Sequence, residues 1–152
     1  MHQRRKAREV ALQVLYALDV QKTTLSEAVA LFWDHFDAPE EARKFSLLLI
    51  EGAWGNRGQI DDLISSSSEN WTMGRMARVD KSILRMAVFE LLYCPDIPPK
   101  VTLNEAIDLG KVYGSENSGS FINGILDALY GKLRKKDEDH DSDERFAGSA
   151  ES

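Results

Sequence analysis

The chain is poor in residues that would staple it or carry chemistry alone. It has a single cysteine, Cys94, so no internal disulfide can form, and its three histidines, His2, His35 and His140, are scattered without metal-ligand spacing. No metal or other cofactor is expected. No stretch approaches the ~18 consecutive apolar residues of a membrane span, and the N-terminus lacks the apolar centre of a signal peptide. The expectation is a cytoplasmic protein with no membrane contact. Catalytic motifs are missing too. Gly114 and Gly119 have the spacing of a phosphate-binding loop, but Ser120 and Phe121 stand where Lys and then Ser or Thr are required. No serine occupies a nucleophile elbow, and Cys94 has no histidine near it in sequence and reads as a small hydrophobe. Asp61 and Asp62 point to different sides of a helix and read as solvated. An enzyme is not expected.

Positive charge is short overall: the 152 residues carry a net charge of −6, the wrong sign for a nucleic-acid binder unless a local patch does the work. The distribution supplies one. Residues 1–10 hold Arg4, Arg5, Lys6 and Arg8 against Glu9 alone, whereas residues 134–152 hold seven acids against Arg134, Lys135, Lys136 and Arg145.

What is present is helical periodicity. The hydrophobic share of 43% and charged share of 29% suit an ordinary globular protein, and the length suits one domain. Ala7, Val10, Ala11, Val14, Leu15 and Leu18 form one stripe of a first helix. Thr24 with Glu27 starts a second helix, Pro39 with Glu40 and Glu41 a third carrying Phe45, Leu48, Leu49, Gly52 and Ala53 inward, and Gly55 to Gly58 bends the path before a fourth. Asp80 reads as the N-cap of a central helix with Ile83, Leu84, Ala87, Val88, Leu91 and Leu92 on a wide apolar face. Pro95, Pro98 and Pro99 end it. Thr102 with Glu105 matches a capping box, Gly114 ends that sixth helix, and Phe121 to Leu133 makes the last, where close helix packing is the reason for Gly124. Residues 1–133 read as a single all-helical domain and the mainly acidic 134–152 as a disordered tail.

Three groups of residues stand out as functional candidates. Arg4, Arg5, Lys6 and Arg8 crowd the start of a helix, where the dipole disfavours cations; they are suited to phosphate oxygens, or else form a solvated, frayed end. Asn117, Ser118 and Phe121 open the last helix, where backbone N–H groups favour an anion and an aromatic ring would stack on a base; the plainer reading is a helix cap with Phe121 packed inward. Leu12, Tyr16 and Val20 make a second row on the first helix, away from its core stripe, that would suit a protein partner.

These residues together resemble the NusB family of bacterial transcription antitermination factors. The resemblance lies in Arg4 to Glu9 with Leu15-Tyr16, in Arg78 to Ala87 with Glu90 to Leu92, in Ile97-Pro98 with Val101, in Asn104 to Ile107, and above all in Gly114 to Gly119 with Phe121 to Asp127. It covers about residues 4–133, with Gly55 to Arg75 matching poorly. The resemblance implies an all-α fold of about seven helices in two packed small bundles. It implies a non-enzymatic RNA-binding function with three partners: the single-stranded boxA element of ribosomal RNA leader transcripts, the ribosomal protein NusE, and the RNA polymerase antitermination complex. By position it implies RNA contacts from Arg4, Arg5, Lys6 and Arg8 with Asn117 and Phe121, and a NusE surface including Tyr16, Val20 and Asp80. Two other readings stand beside it. One is an accessory domain related to that of RNA cytosine methyltransferases, against which stands the lack of a cofactor-binding βαβ unit. The other is a self-associating helical protein in which Leu12, Tyr16 and Val20 bury each other across a homodimer.

Overall fold

The computed structural model describes the backbone of residues 2–21, 23–68 and 72–150, and side chains to residue 136 apart from those of residues 2 and 35. Among the described residues there are seven α-helices and no strand: α1 (His2–Val20), α2 (Leu25–His35), α3 (Glu40–Gly55), α4 (Arg57–Ser66), α5 (Arg78–Tyr93), α6 (Pro99–Tyr113) and α7 (Ser118–Ala150). A single 3₁₀ turn, Met73–Arg75, leads into α5. Trp71, which suits an apolar anchor ahead of the central helix by its sequence position, lies outside the described residues. No described helix is long and apolar enough to cross a membrane.

The helices form two small bundles. One is built from α1, α2 and α3 and the other from α4, α5, α6 and α7, and α5 packs against both α1 and α3 to join them. This position explains why every residue of α5 from Ser82 to Glu90 is buried. A helix enclosed on most sides has no solvated face on which to put its polar residues, so each must find a partner inside. Ser82 Oγ donates to the Arg78 carbonyl at 2.9 Å. Arg85 donates to both carboxylate oxygens of Asp61, each at 2.8 Å, and to Asp19 at 3.2 Å, tying α5 to α4 and α1. Burial works against the Arg85 charge, but the bonds and charges of Asp61 and Asp19 outweigh it and raise its pKa. Asp61 is therefore a structural partner, in contrast to its solvated reading from sequence.

At the other end of α5, Arg8 donates to Glu90 through Nε at 3.0 Å and Nη2 at 2.8 Å, a two-pronged pair with both side chains almost fully enclosed. Thr102 Oγ1 adds a third bond to Glu90 at 3.2 Å, so α1, α5 and α6 meet at one carboxylate.

Local signals place several boundaries as expected. Thr24 and Glu27 form a capping box at α2, and Pro39 precedes α3 with Glu40 and Glu41 in its first turn. Others differ. Pro99 opens α6 at its first turn, so Thr102 lies inside the helix and is spent on Glu90 instead of on a cap. Asp80 is the third residue of α5, with Ala77 at the cap. Leu48 is exposed, and the buried places on α3 go to Ser46 and Ile50, where Ser46 Oγ donates to the Ala7 carbonyl at 2.9 Å. The backbone of α7 is helical to Ala150.

Close packing is allowed not at Gly124, which faces open space, but at Gly52 among others, where a Cβ would stand 2.1 Å from the Phe89 ring. The Phe89 ring is itself buried and packed on Tyr93 at 5.2 Å between centroids, so it has little room to yield. For Gly52→Ala the helix-propensity gain of ~1 kcal/mol is therefore outweighed by overpacking of ~1–3 kcal/mol or more, and the melting temperature falls. Gly124→Ala raises it, because only the propensity gain of up to ~1 kcal/mol applies. Thermal melts of the two variants, expected to shift in opposite directions, check the assignment. A second expectation concerns the buried pair. Arg8→Ala or Glu90→Ala lowers the unfolding free energy by ~3–5 kcal/mol by leaving one charge buried alone. The Arg8→Met, Glu90→Leu double variant loses much less. Urea midpoints at constant slope measure this, and a loss below ~1 kcal/mol, the scale of an exposed pair, in both single variants would refute a structural role.

Candidate nucleic-acid and partner interface

At the start of helix α1 Arg4, Arg5 and Lys6 are exposed, while Ala7, Ala11 and Leu15 are buried in the core and Arg8 is held by Glu90. Arg4 lies over the Phe45 ring at 5.1 Å and 3.7 Å from Asp96. Lys6 is 3.9 Å from Glu9 along its own helix. Arg5 reaches across to α6, donating to Glu105 at 3.1 and 3.0 Å and to Asp108 at 3.3 Å. The hydrogen bond that Arg5 donates to Glu105, then the charge of Glu105, raises the Arg5 pKa. All three cations remain open to solvent. Arg8 does not: it is 3% exposed and fully engaged with Glu90, so it is withdrawn from the RNA-contacting set that the sequence suggests.

Further along α1, Leu12 is 4% exposed and belongs to the core, contrary to its place in an outward row. Tyr16 and Val20 are outside, at 39% and 37%. Leu12 floors a cleft of about 210 Å³ walled by Gln13, Tyr16, Val79 and Tyr113. Burial, then the neighbouring Glu9, pushes the Tyr113 hydroxyl up in pKa. Side chains of α1 and α6 thus meet at two levels, Arg5 with Glu105 and Asp108, then Glu9, Leu12 and Tyr16 with Tyr113.

Beyond the end of α6 the chain turns through Ser115 to Asn117 into α7. Gly110 and Gly119 let the two helices cross closely, a Cβ on Gly110 falling 2.7 Å from Ile122 and one on Gly119 falling 3.1 Å from Lys111. Ser118 is buried, and its hydroxyl accepts from the Ser115 backbone N–H at 2.9 Å. It holds the turn and is not available to RNA, which corrects its place among the candidate contacts. Asn117 is exposed and Phe121 half-buried, and both line a second cleft of about 300 Å³ with Arg75, Met76, Asp80 and Ser115. None of Arg4, Arg5 or Lys6 reaches this cleft. The cationic end and Phe121 are therefore separate places.

Asp80, which the resemblance puts on a protein surface, is only 6% exposed and sits in that second cleft with one carboxylate oxygen lacking any hydrogen-bond partner. Leaving such an oxygen unmatched costs ~1–3 kcal/mol or more. Two residues of this region escape sequence reading, the exposed Arg75 and Arg78 beside the start of α5. The signal was the one used for α1, cations at a helix start, but Arg75 fell in the poorly matching segment. Cys94 is buried, and burial, then Glu90 and Asp96, push its thiol up in pKa, away from the reactive thiolate.

The sequence pattern of the NusB family matches residues 5–131. The chain is similar to the transcription antitermination protein NusB of Syntrophus aciditrophicus (strain SB), 67% identical over 141 residues that make up 93% of this chain and 88% of that protein. Among solved structures, T. maritima NusB matches with a TM-score of 0.75 and 37% identity over 83% of this chain and 89% of its own. A structure of the antitermination factors NusB and NusE in complex with dsRNA matches with a TM-score of 0.79 and 27% identity, over 87% of this chain and 98% of that one. Family match, sequence identity and seven-helix fold agree, and the chain belongs to the NusB family, whose members named here are transcription antitermination proteins and not enzymes.

Proposed function

We propose that this protein binds the boxA element of ribosomal RNA leader transcripts jointly with NusE and brings both to the RNA polymerase antitermination complex. The observation that supports it is the division of α1 into two solvent-facing parts. Arg4, Arg5 and Lys6 offer charge to phosphates, and Tyr16 and Val20, beside the cleft floored by Leu12, offer apolar surface to a protein. A fold neighbour made of NusB, NusE and RNA is in keeping with two such partners. In this reading the RNA spans from the cationic end of α1 toward Asn117 and Phe121, and NusE covers the Tyr16–Val20 row.

Three exposed cations contacting phosphates give a slope of about −2 in log affinity against log salt, from the single-strand coefficient of ~0.7 per phosphate. Arg4→Ala with Arg5→Ala reduces the slope to about −0.7 and weakens binding of boxA RNA, while NusE still binds. Tyr16→Ala with Val20→Ala does the reverse, losing NusE but keeping the salt slope. Titrations at several salt concentrations check both, and unchanged RNA affinity in the arginine variant rules out this site. Glu105 competes with RNA for Arg5, so Glu105→Gln strengthens RNA binding severalfold at low salt and has little effect at high salt. Equal affinities at low salt would show that the competition is absent.

A further inference from the structure

We infer that the groove between α1 and α2 is a docking site for an amphipathic helix of a protein partner, apolar along one face and basic beside it. The inference stands apart from the RNA and NusE reading, because Gln13 lines both this groove and the Tyr16 cleft and separates the two.

The groove has a volume of about 220 Å³, and its sides are Val10, Val14 and Ala17 of α1 with Ala28 and Phe32 of α2 and Phe36 at the α2 cap. It follows residues 10–21 of α1, roughly 16 Å at about 1.5 Å per residue, the length of three turns of a helix laid beside it. Leu31 lines it as well and is 55% exposed. Helix α2 thus carries apolar side chains in two directions, Ala28 and Phe32 buried and Leu31 in solvent, where the outer face of a bundle helix is normally polar. The exposed Trp33 is a separate matter, since Arg43 lies over its ring at 4.9 Å and donates to the Phe36 carbonyl at 3.1 and 2.7 Å.

Charge decides which occupant fits. Glu27 and Asp34 are exposed and stand one turn before and one turn after Leu31, so one row of α2 reads acid, leucine, acid along the groove. No Lys or Arg occurs in α2, and the polar side chains that α1 gives to the groove are the neutral Gln13 and Gln21. A second copy of this chain would set Glu27 and Asp34 against the same two acids, whichever way the α2 helices were paired, and RNA phosphates would meet them too. A helix with Lys or Arg flanking its apolar stripe would pair with both. Near Gln21, Thr23 lines the groove with a buried hydroxyl oxygen that has no hydrogen-bond partner among the described residues. A hydroxyl can donate to the carbonyls left open at the end of a docked helix.

The test uses the full chain and three fluorescent three-turn peptides, stapled to hold the helix, with one leucine stripe in common and Lys, Gln or Glu at every other position. The Lys peptide should bind about two- to tenfold more tightly than the Gln peptide at low salt, the worth of two exposed ion pairs, and the Glu peptide least; the gap should close at high salt. Glu27→Gln with Asp34→Asn should close it at low salt and leave the Gln peptide unaffected, with the capping box kept because Gln serves there as well as Glu. Leu31→Ser should weaken the Lys and Gln peptides about tenfold through lost apolar contact, with the melting temperature little changed because Leu31 is exposed. Equal binding of the Lys and Gln peptides, binding of none, or Leu31→Ser binding like the wild type overturns the inference. So does closure of the gap by Glu51→Gln with Asp62→Asn, exposed acids of α3 and α4, which would make the preference one of overall charge. Loss of peptide binding in Tyr16→Ala with Val20→Ala overturns it in favour of the other row of α1. A wild-type dimer by light scattering that Leu31→Ser converts to monomer overturns it in favour of a second copy.

Discussion

The structure depends on a buried carboxylate that three helices share. Glu90 takes both prongs of Arg8 from α1 and the hydroxyl of Thr102 from α6, so the N-terminal bundle cannot rotate against α5 without stranding a charge. Two charges in a dry interior are costly, and their value lies less in net stability than in the penalty for any arrangement that separates them. Arg85 with Asp61 and Asp19 repeats the device nearer the start of α5. Together the two clusters set how α1 lies on α5, and the small residues Ala7, Ala11, Ala42, Ser46 and Ala53 let α1 and α3 close around that arrangement.

The functional face follows from the same constraint. Arg8 is drawn inward while Arg4, Arg5 and Lys6 stay exposed, and these three form a cationic end held above Asp96, Glu105 and Asp108. The arginine side chains are about half exposed in these pairs, so the pairs are weak and exchangeable. Tyr16 and Val20 emerge on the same helix roughly 16 and 22 Å beyond Arg5, at about 1.5 Å per residue. Past them, the close crossing of α6 and α7 at Gly110 and Gly119 brings the Ser115–Phe121 turn next to the start of α5. One helix and one turn thus carry three separate places of different chemistry: charge, apolar surface, and a cleft with a carboxylate and an aromatic ring.

Helix number, most boundaries and fold class were legible in the sequence because they rest on local rules: the 3.6-residue stripe, the Thr24–Glu27 box, proline and glycine at the ends. The family was legible from the Gly114–Asp127 block. What was misread has a single physical origin. Arg8, Thr102, Asp61 and Ser118 are polar residues that looked available, as phosphate ligand, cap, solvated acid and anion site, because local pattern assigns a polar side chain to solvent or to its own helix. Their partners are 82, 12 and 24 residues away for Arg8, Thr102 and Asp61, and three away but across a turn for Ser118. Leu12 was misread in the opposite sense: its row is outward on an isolated helix, but Val79 and Tyr113 wall the cleft above it.

By itself the sequence determined that the chain is helical, where most helices start and stop, and that a basic N-terminus is joined to a NusB-like helix-start block, since these depend on neighbours within a few residues. Only the tertiary structure decided which of the four basic residues are exposed, which glycines mark close packing, and that Asp80 lies in one cleft with Asn117 and Phe121. Those outcomes depend on which distant groups meet in a water-poor interior, where a charge must be paired and a missing side chain makes room for a ring.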